Sequence, residues 1–150
     1  TAVVFDLPST RRFAEETIAR FGLADRIVLA AGDFTTEKIP GRFDAAWLSH
    51  ILHGEGPAGC AAILKNAVAA LEPGGLLMVQ EFILDDTRDG PLFPALFSLN
   101  MLLGTPAGQA YSHAELVAML DAAGVGEILR LPLELPNGAE VLVGTVPGKR

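Results

Sequence analysis

The stretch from Phe43 to Glu81 limits the possible folds more than any other part of this chain. FDAAWLS, residues 43–49, reads as a strand. Pro57 suits the first turn of a helix, which the pattern carries to about Leu71. Ile63, Leu64, Ala67, Val68 and Leu71 fall on one face of that helix. Pro73-Gly74-Gly75 breaks it, and Leu76 to Leu84 reads as the next strand. Strand–helix–strand units build α/β folds, and there ligands sit outside the carboxyl ends of the strands. His53 and Glu81 are therefore expected on one rim. An imidazole beside a carboxylate supplies the minimum parts of a general base and its orienter.

The flanking sequence extends the pattern. Residues 1–6 read as a strand, closed by Leu7-Pro8. Ser9 is expected to cap a helix that runs to Phe21 and stops at Gly22, with Phe13, Thr17, Ile18 and Phe21 sharing one face. Residues 26–31 form a second strand. Residues 85–90 form a polar loop, and residues 92–103 an apolar helix that is buried or lies at an interface. Ser112-His113-Ala114-Glu115 is a capping box opening a helix to Ala123, and Gly124 follows it. Two strands, residues 127–135 and 140–146, flank Pro136-Asn137-Gly138, a hairpin signal. The fold class is thus α/β, a doubly wound sheet with an antiparallel C-terminal edge.

Bulk properties exclude several functions. The net charge is −7, and the 11 basic residues form no block, which argues against a nucleic-acid partner. No apolar run approaches the roughly 18 residues that a membrane span needs, so no membrane partner is expected. Cys60 is the single cysteine, which rules out an intramolecular disulfide and a cysteine-based zinc site and fits a cytoplasmic setting. Mean hydropathy is +0.37. That is high for a soluble domain, and the chain begins inside a strand. Both suggest a fragment whose front half covers part of this surface.

Individual positions carry alternatives. Asp6 ends the first strand, where an acid can take ribose hydroxyls or simply flank a helix. Gly32-Asp33-Phe34 can bond and stack an adenine, or can be an ordinary turn. His50 is expected inside its strand, and His113 in the solvated first turn of a helix. Asp85, Asp86, Asp89 and Gly90 resemble a calcium loop, but Leu96 stands where the bidentate glutamate must be, so no metal is expected there. No nucleophile elbow or P-loop occurs.

Taken together, these segments resemble the S-adenosylmethionine-dependent small-molecule O-methyltransferases of the caffeate and bacterial polyketide type. FDLP around Asp6 and Leu7 is similar to that family's ribose segment, and GDF at Asp33 and Phe34 to its adenine segment. LSHILHG is similar to its strand leading to the catalytic histidine, His53. ILKNAVAALEPGGLLMVQEFIL is similar to the stretch holding its active-site glutamate, Glu81. MLLGTPAGQAYSHAEL resembles its substrate segment, with Met101 and Thr105 on pocket positions. His50 is grouped with these two, and Ser49 resembles a serine facing the cofactor in bacterial members. The resemblance implies a Rossmann-like sheet and methyl transfer from S-adenosylmethionine to a substrate hydroxyl, leaving S-adenosylhomocysteine and using no metal. It implies a homodimer when complete.

Gly54 and Ala110 stand where members usually carry an aspartate and a second glutamate. These departures leave two other readings open: a member repurposed for hydroxylation, decarboxylation or pericyclic chemistry, and a non-catalytic half completing a partner. The first strand, the glycine-rich loop, the first helix and the N-terminal dimerisation domain have no counterpart here. Residues 1–150 are therefore expected to be a partial catalytic domain, needing a further segment from the same or another polypeptide.

Overall fold

The computed structural model describes residues 1–148. Strand β1 (Ala2–Asp6) pairs in parallel with β2 (Ile27–Ala31), and helix α1 (Arg11–Arg20) connects them. β3 (Phe43–Ser49), α2 (Pro57–Ala70) and β4 (Leu71–Phe82) form the next unit. α3 (Leu92–Gly104), α4 (His113–Ala122), β5 (Gly126–Arg130) and β6 (Ala139–Thr145) complete the chain. The strands fall into two ladders. One is β1-β2; the other is β3-β4-β6-β5, parallel at β3-β4 and antiparallel beyond. The α/β class and the antiparallel C-terminal edge are as expected. β1 and β3 do not pair, so each leaves one edge without a strand partner among the described residues.

α2 carries the core. Gly56 caps it in an extended conformation, Pro57 occupies its first turn, and Cys60, Ile63, Leu64 and Ala67 are buried at helical spacing. These meet Leu77 and Val79 of β4 and Leu116 and Leu120 of α4. Each buried leucine, isoleucine and valine among them contributes about 1.5–3 kcal/mol by leaving water. In α4 the expected capping box is present. Ser112 Oγ accepts from Glu115 N at 3.3 Å, and Glu115 Oε2 accepts from Ser112 N at 2.8 Å.

Several boundaries differ from expectation. Ser9 caps nothing, because Pro8–Thr10 form a 3-10 turn and α1 begins at Arg11. Phe13 and Phe21 are 58% and 66% exposed, and Thr17 is exposed as well. Of the expected face only Ile18 turns inward, with Ala14 beside it, since within this chain the two-stranded ladder offers α1 only a narrow surface. Leu71 already pairs with Phe43, so Pro73-Gly74-Gly75 is an excursion inside β4 rather than a break before it. Gly74 there has φ +84, and a Cβ on Gly75 would collide with the Glu72 and Asp44 carbonyl oxygens. At the C-terminal end β5 stops at Arg130. Asn137 and Gly138 do adopt positive φ (60° and 68°), but within a longer loop than a two-residue hairpin.

Candidate functional site

β4 alternates Leu77, Val79 and Glu81 onto the core face. Glu81 is therefore carried into the interior, where it is 3% exposed. A carboxylate in such a place must be bonded. Its Oε1 accepts from Leu52 N at 2.8 Å and more distantly from His53 N at 3.4 Å; its Oε2 lies 2.7 Å from His53 Nδ1. One side chain thus ties down the 3-10 turn Leu52–Gly54 and the ring that this turn presents. An ionised carboxylate only accepts, so Nδ1 is the donor and Nε2 keeps the free lone pair. Phe97 meets the His53 ring edge-on at 4.7 Å, and Phe82 and Phe93 extend the aromatic wall.

His50 is not inside the strand. It lies just beyond β3 with φ 55, its ring against Phe82 at 4.4 Å and its Nε2 3.2 Å from the Gln80 amide. Its Nδ1 is buried without a partner, 3.8 Å from Glu81 Oε2. Ser49 Oγ lies 3.4 Å from Gln80 Oε1. His50, His53 and Glu81 are the described residues that together could hold a metal ion.

The other candidates lie elsewhere. Thr105 ends α3, and its hydroxyl donates to Met101 O at 2.9 Å and accepts from Gly108 N at 2.7 Å. Met101 is half-buried one turn earlier. Thr105 lines a groove of ≈ 290 Å³ together with Ser98, Leu99 and Leu102. Asp6 Oδ1 accepts from Leu7 N at 2.7 Å. Asp33 Oδ1 accepts from Thr35 N and Thr35 Oγ1 at 2.8 and 2.6 Å, and these bonds hold its carboxyl below the ordinary range. Phe34 packs its ring partly against the core. In register Asp6 faces Ala31, so both acids lie at the carboxyl ends of their strands. His113, expected in solvent, is half-buried, and its N–H bonds Leu84 O.

Some residues near the site carried no signal that distinguished them from core. Gln109 N donates to His53 O at 2.9 Å, and Gly108 packs so closely on that carbonyl that no Cβ fits. The Tyr111 hydroxyl donates to Glu55 O, and Cys60 Sγ lies 3.3 Å from Leu52 O. Burial pushes both the thiol and the phenol up, so both stay neutral and buttress the turn from below. The Phe93–Phe97 spacing, one helical turn, was the one readable hint of the aromatic wall.

Two parallel pairs, one with acids at its carboxyl ends and one leading to a carboxylate-held imidazole, define an α/β domain with polar groups on the strand ends where such folds bind ligands. Residues 1–126 match the O-methyltransferase domain family, and the chain belongs to that S-adenosylmethionine-dependent family. It is 37% identical over 144 residues to 3-hydroxy-5-methyl-1-naphthoate 3-O-methyltransferase of Streptomyces sahachiroi, covering 96% of this chain and 41% of that one. It is 36% identical over 136 residues to the tetracenomycin polyketide synthesis 8-O-methyl transferase TcmO of Streptomyces glaucescens, covering 91% and 40%. The solved structure of PigF with SAH superposes with a TM-score of 0.87 at 28% identity, over 96% of this chain and 42% of that chain. The chain thus spans about two fifths of the length of the curated relatives it matches. No described helix is long and apolar enough to cross a membrane.

Proposed function

We propose that the protein transfers a methyl group from S-adenosylmethionine to a hydroxyl of a small aromatic, polyketide-type metabolite, with His53 as the general base. The observation that carries this reading is the 2.7 Å contact between His53 Nδ1 and the buried Glu81, which leaves Nε2 free beside Phe97. S-adenosylmethionine, when bound, supplies an electrophilic methyl on a sulfonium. His53 Nε2 takes the hydroxyl proton of the substrate. S-adenosylmethionine held by Asp6, Leu7, Asp33, Phe34 and Ser49 would give its methyl to the deprotonated oxygen and would be left as S-adenosylhomocysteine, while His53 keeps the proton on Nε2. Glu81 orients the ring and stabilises the imidazolium that forms, while the aromatic wall favours a planar substrate.

Asp6, Leu7, Asp33, Phe34 and Ser49 are the proposed cofactor contacts, and His50, Met101 and Thr105 the proposed substrate contacts. Ala110 is buried, and its N–H bonds Ser98 Oγ at 3.0 Å. A second carboxylate is not needed there, because Glu81 already satisfies Nδ1. The proposal includes a homodimer of the complete protein. Leu92, Leu96, Leu99 and Leu103, all exposed along α3, support a partner on that side.

Replacing His53 by Gln in the full-length protein tests the role of the base. Turnover should fall about 10²–10⁴-fold, with S-adenosylhomocysteine binding by calorimetry unchanged. A variant that keeps wild-type turnover refutes the assignment.

A further inference from the structure

We infer that His50, His53 and Glu81 form a binding site for a divalent transition ion of the zinc type, and that filling it silences His53 as a base. The second half rests on the function proposed above; the first does not. One ligand atom from each residue lies within 4.8 Å of the others. Tetrahedral zinc, with bonds near 2.0–2.1 Å, sets its ligand atoms about 3.3 Å apart. Glu81 Oε2 stands 2.7 Å from His53 Nδ1 and 3.8 Å from His50 Nδ1, so the two separations bracket that value. The third separation, between the two imidazole nitrogens, lies within 4.8 Å, so the His50 ring would have to draw in toward His53 to close a tetrahedral face.

The independent observation is His50 itself. Its Nδ1 is buried and bonded to nothing. At 3.8 Å it is too far from Glu81 for a hydrogen bond. The residue is also held at φ 55, a conformation that costs a non-glycine residue about 1–3 kcal/mol. A left-handed backbone thus presents an unbonded buried nitrogen toward the same carboxylate oxygen that holds His53, the placement a third ligand atom needs.

Ligand chemistry narrows the ion. Two imidazoles and one carboxylate suit zinc, cobalt, nickel, copper or iron, and not magnesium or calcium. The supporting bonds are also at hand. Turned over, the Gln80 amide offers its oxygen to His50 Nε2–H, which leaves a lone pair on Nδ1, and its nitrogen then faces Ser49 Oγ. Glu81 Oε1 stays fixed by Leu52 N.

The effect on His53 follows from counting protons. Bound through Nδ1, a neutral imidazole carries its one proton on Nε2. The proton leaves Nδ1 and arrives at Nε2 through solvent, so none is gained or lost. Nε2 then has no lone pair with which to accept a proton from a hydroxyl.

Titrating the full-length, tag-free protein with Co²⁺ tests the site directly. Visible d–d bands should saturate at one ion per chain and bleach when Zn²⁺ is added. His50→Asn tolerates the left-handed backbone and should weaken binding roughly 100-fold, while His113→Asn should leave it unchanged; circular dichroism verifies that each variant is folded. Absence of a saturating band in the wild type, or a His50→Asn titration that superimposes on it, overturns the site. A saturating band together with an active His53→Gln variant supports the metal site and overturns the base role.

Discussion

Glu81 bonds across the structure, to the turn that follows a neighbouring strand, whereas Asp6 and Asp33 bond only within their own loops. The difference extends to what lies beneath them. Glu81 stands on Leu77 and Val79, both fully buried against α2. No residue of β1, α1 or β2 is buried, and Val28, Phe13 and Phe21 face water. Asn66, through Phe34 O and Glu37 O, ties the loop after β2 to α2. The proposed acceptor side is therefore held by a packed core, and the proposed cofactor side mainly by a two-stranded ladder, which is marginal alone. Within this chain, the His53–Glu81 pair is preorganised by packing, and the proposed cofactor residues rest on few buried contacts.

Hydrogen exchange on the isolated chain should expose the contrast most strongly. Amides of β4 and β6 should exchange roughly a thousandfold more slowly than those of β1 and β2, because local opening spans the range from near zero to the global stability. Equal protection in both ladders would dissolve the distinction. Gly108→Ala attacks the rigid side. A Cβ there would strike the His53 carbonyl oxygen and the Thr105 hydroxyl. Overpacking of this kind should cost about 1–3 kcal/mol in denaturant unfolding and should lower turnover by displacing the turn that holds His53. A variant as stable and active as the wild type would show that this side also yields.

Legibility in the sequence follows the same division. Where local signals and the core agree, residues were readable. β3 and α2 fall within a residue of expectation, the Ser112–Glu115 box is formed, and Glu81 lands beside His53. Where a larger surface decides, the sequence misleads. Phe13, Thr17, Ile18 and Phe21 read as one face of α1, yet only Ile18 of the four turns inward, with Ala14 beside it. The strand expected over 127–135 looks continuous, but its pairing with β6 ends near Leu131. His50 reads as part of its strand but lies just beyond it at φ 55, a conformation that the alternation of the strand does not signal. The fixity of Gly108 arises from a carbonyl more than fifty residues away in sequence, which no local pattern records.

The smallest effect concerns a second carboxylate. Glu140 lies directly across from Glu81 on β6. Two acids share one face, but their partners differ. Glu81 has both oxygens bonded, whereas Glu140 has one oxygen on Arg130 and the other buried and bare. Burial raises the Glu140 carboxyl above its ordinary value of 4.5, and Arg130 only partly opposes this. For a raised carboxyl, the stabilising contribution is fully present below the unfolded value and is lost as pH rises through the folded one. Urea unfolding across that window should show a decline in stability that Glu140→Gln flattens, by at most about 1 kcal/mol since Arg130 is solvent-exposed. An unchanged slope, or a Gln variant clearly weaker at neutral pH, would mean that the Arg130 pair outweighs desolvation, and that Glu140 is as well served as Glu81.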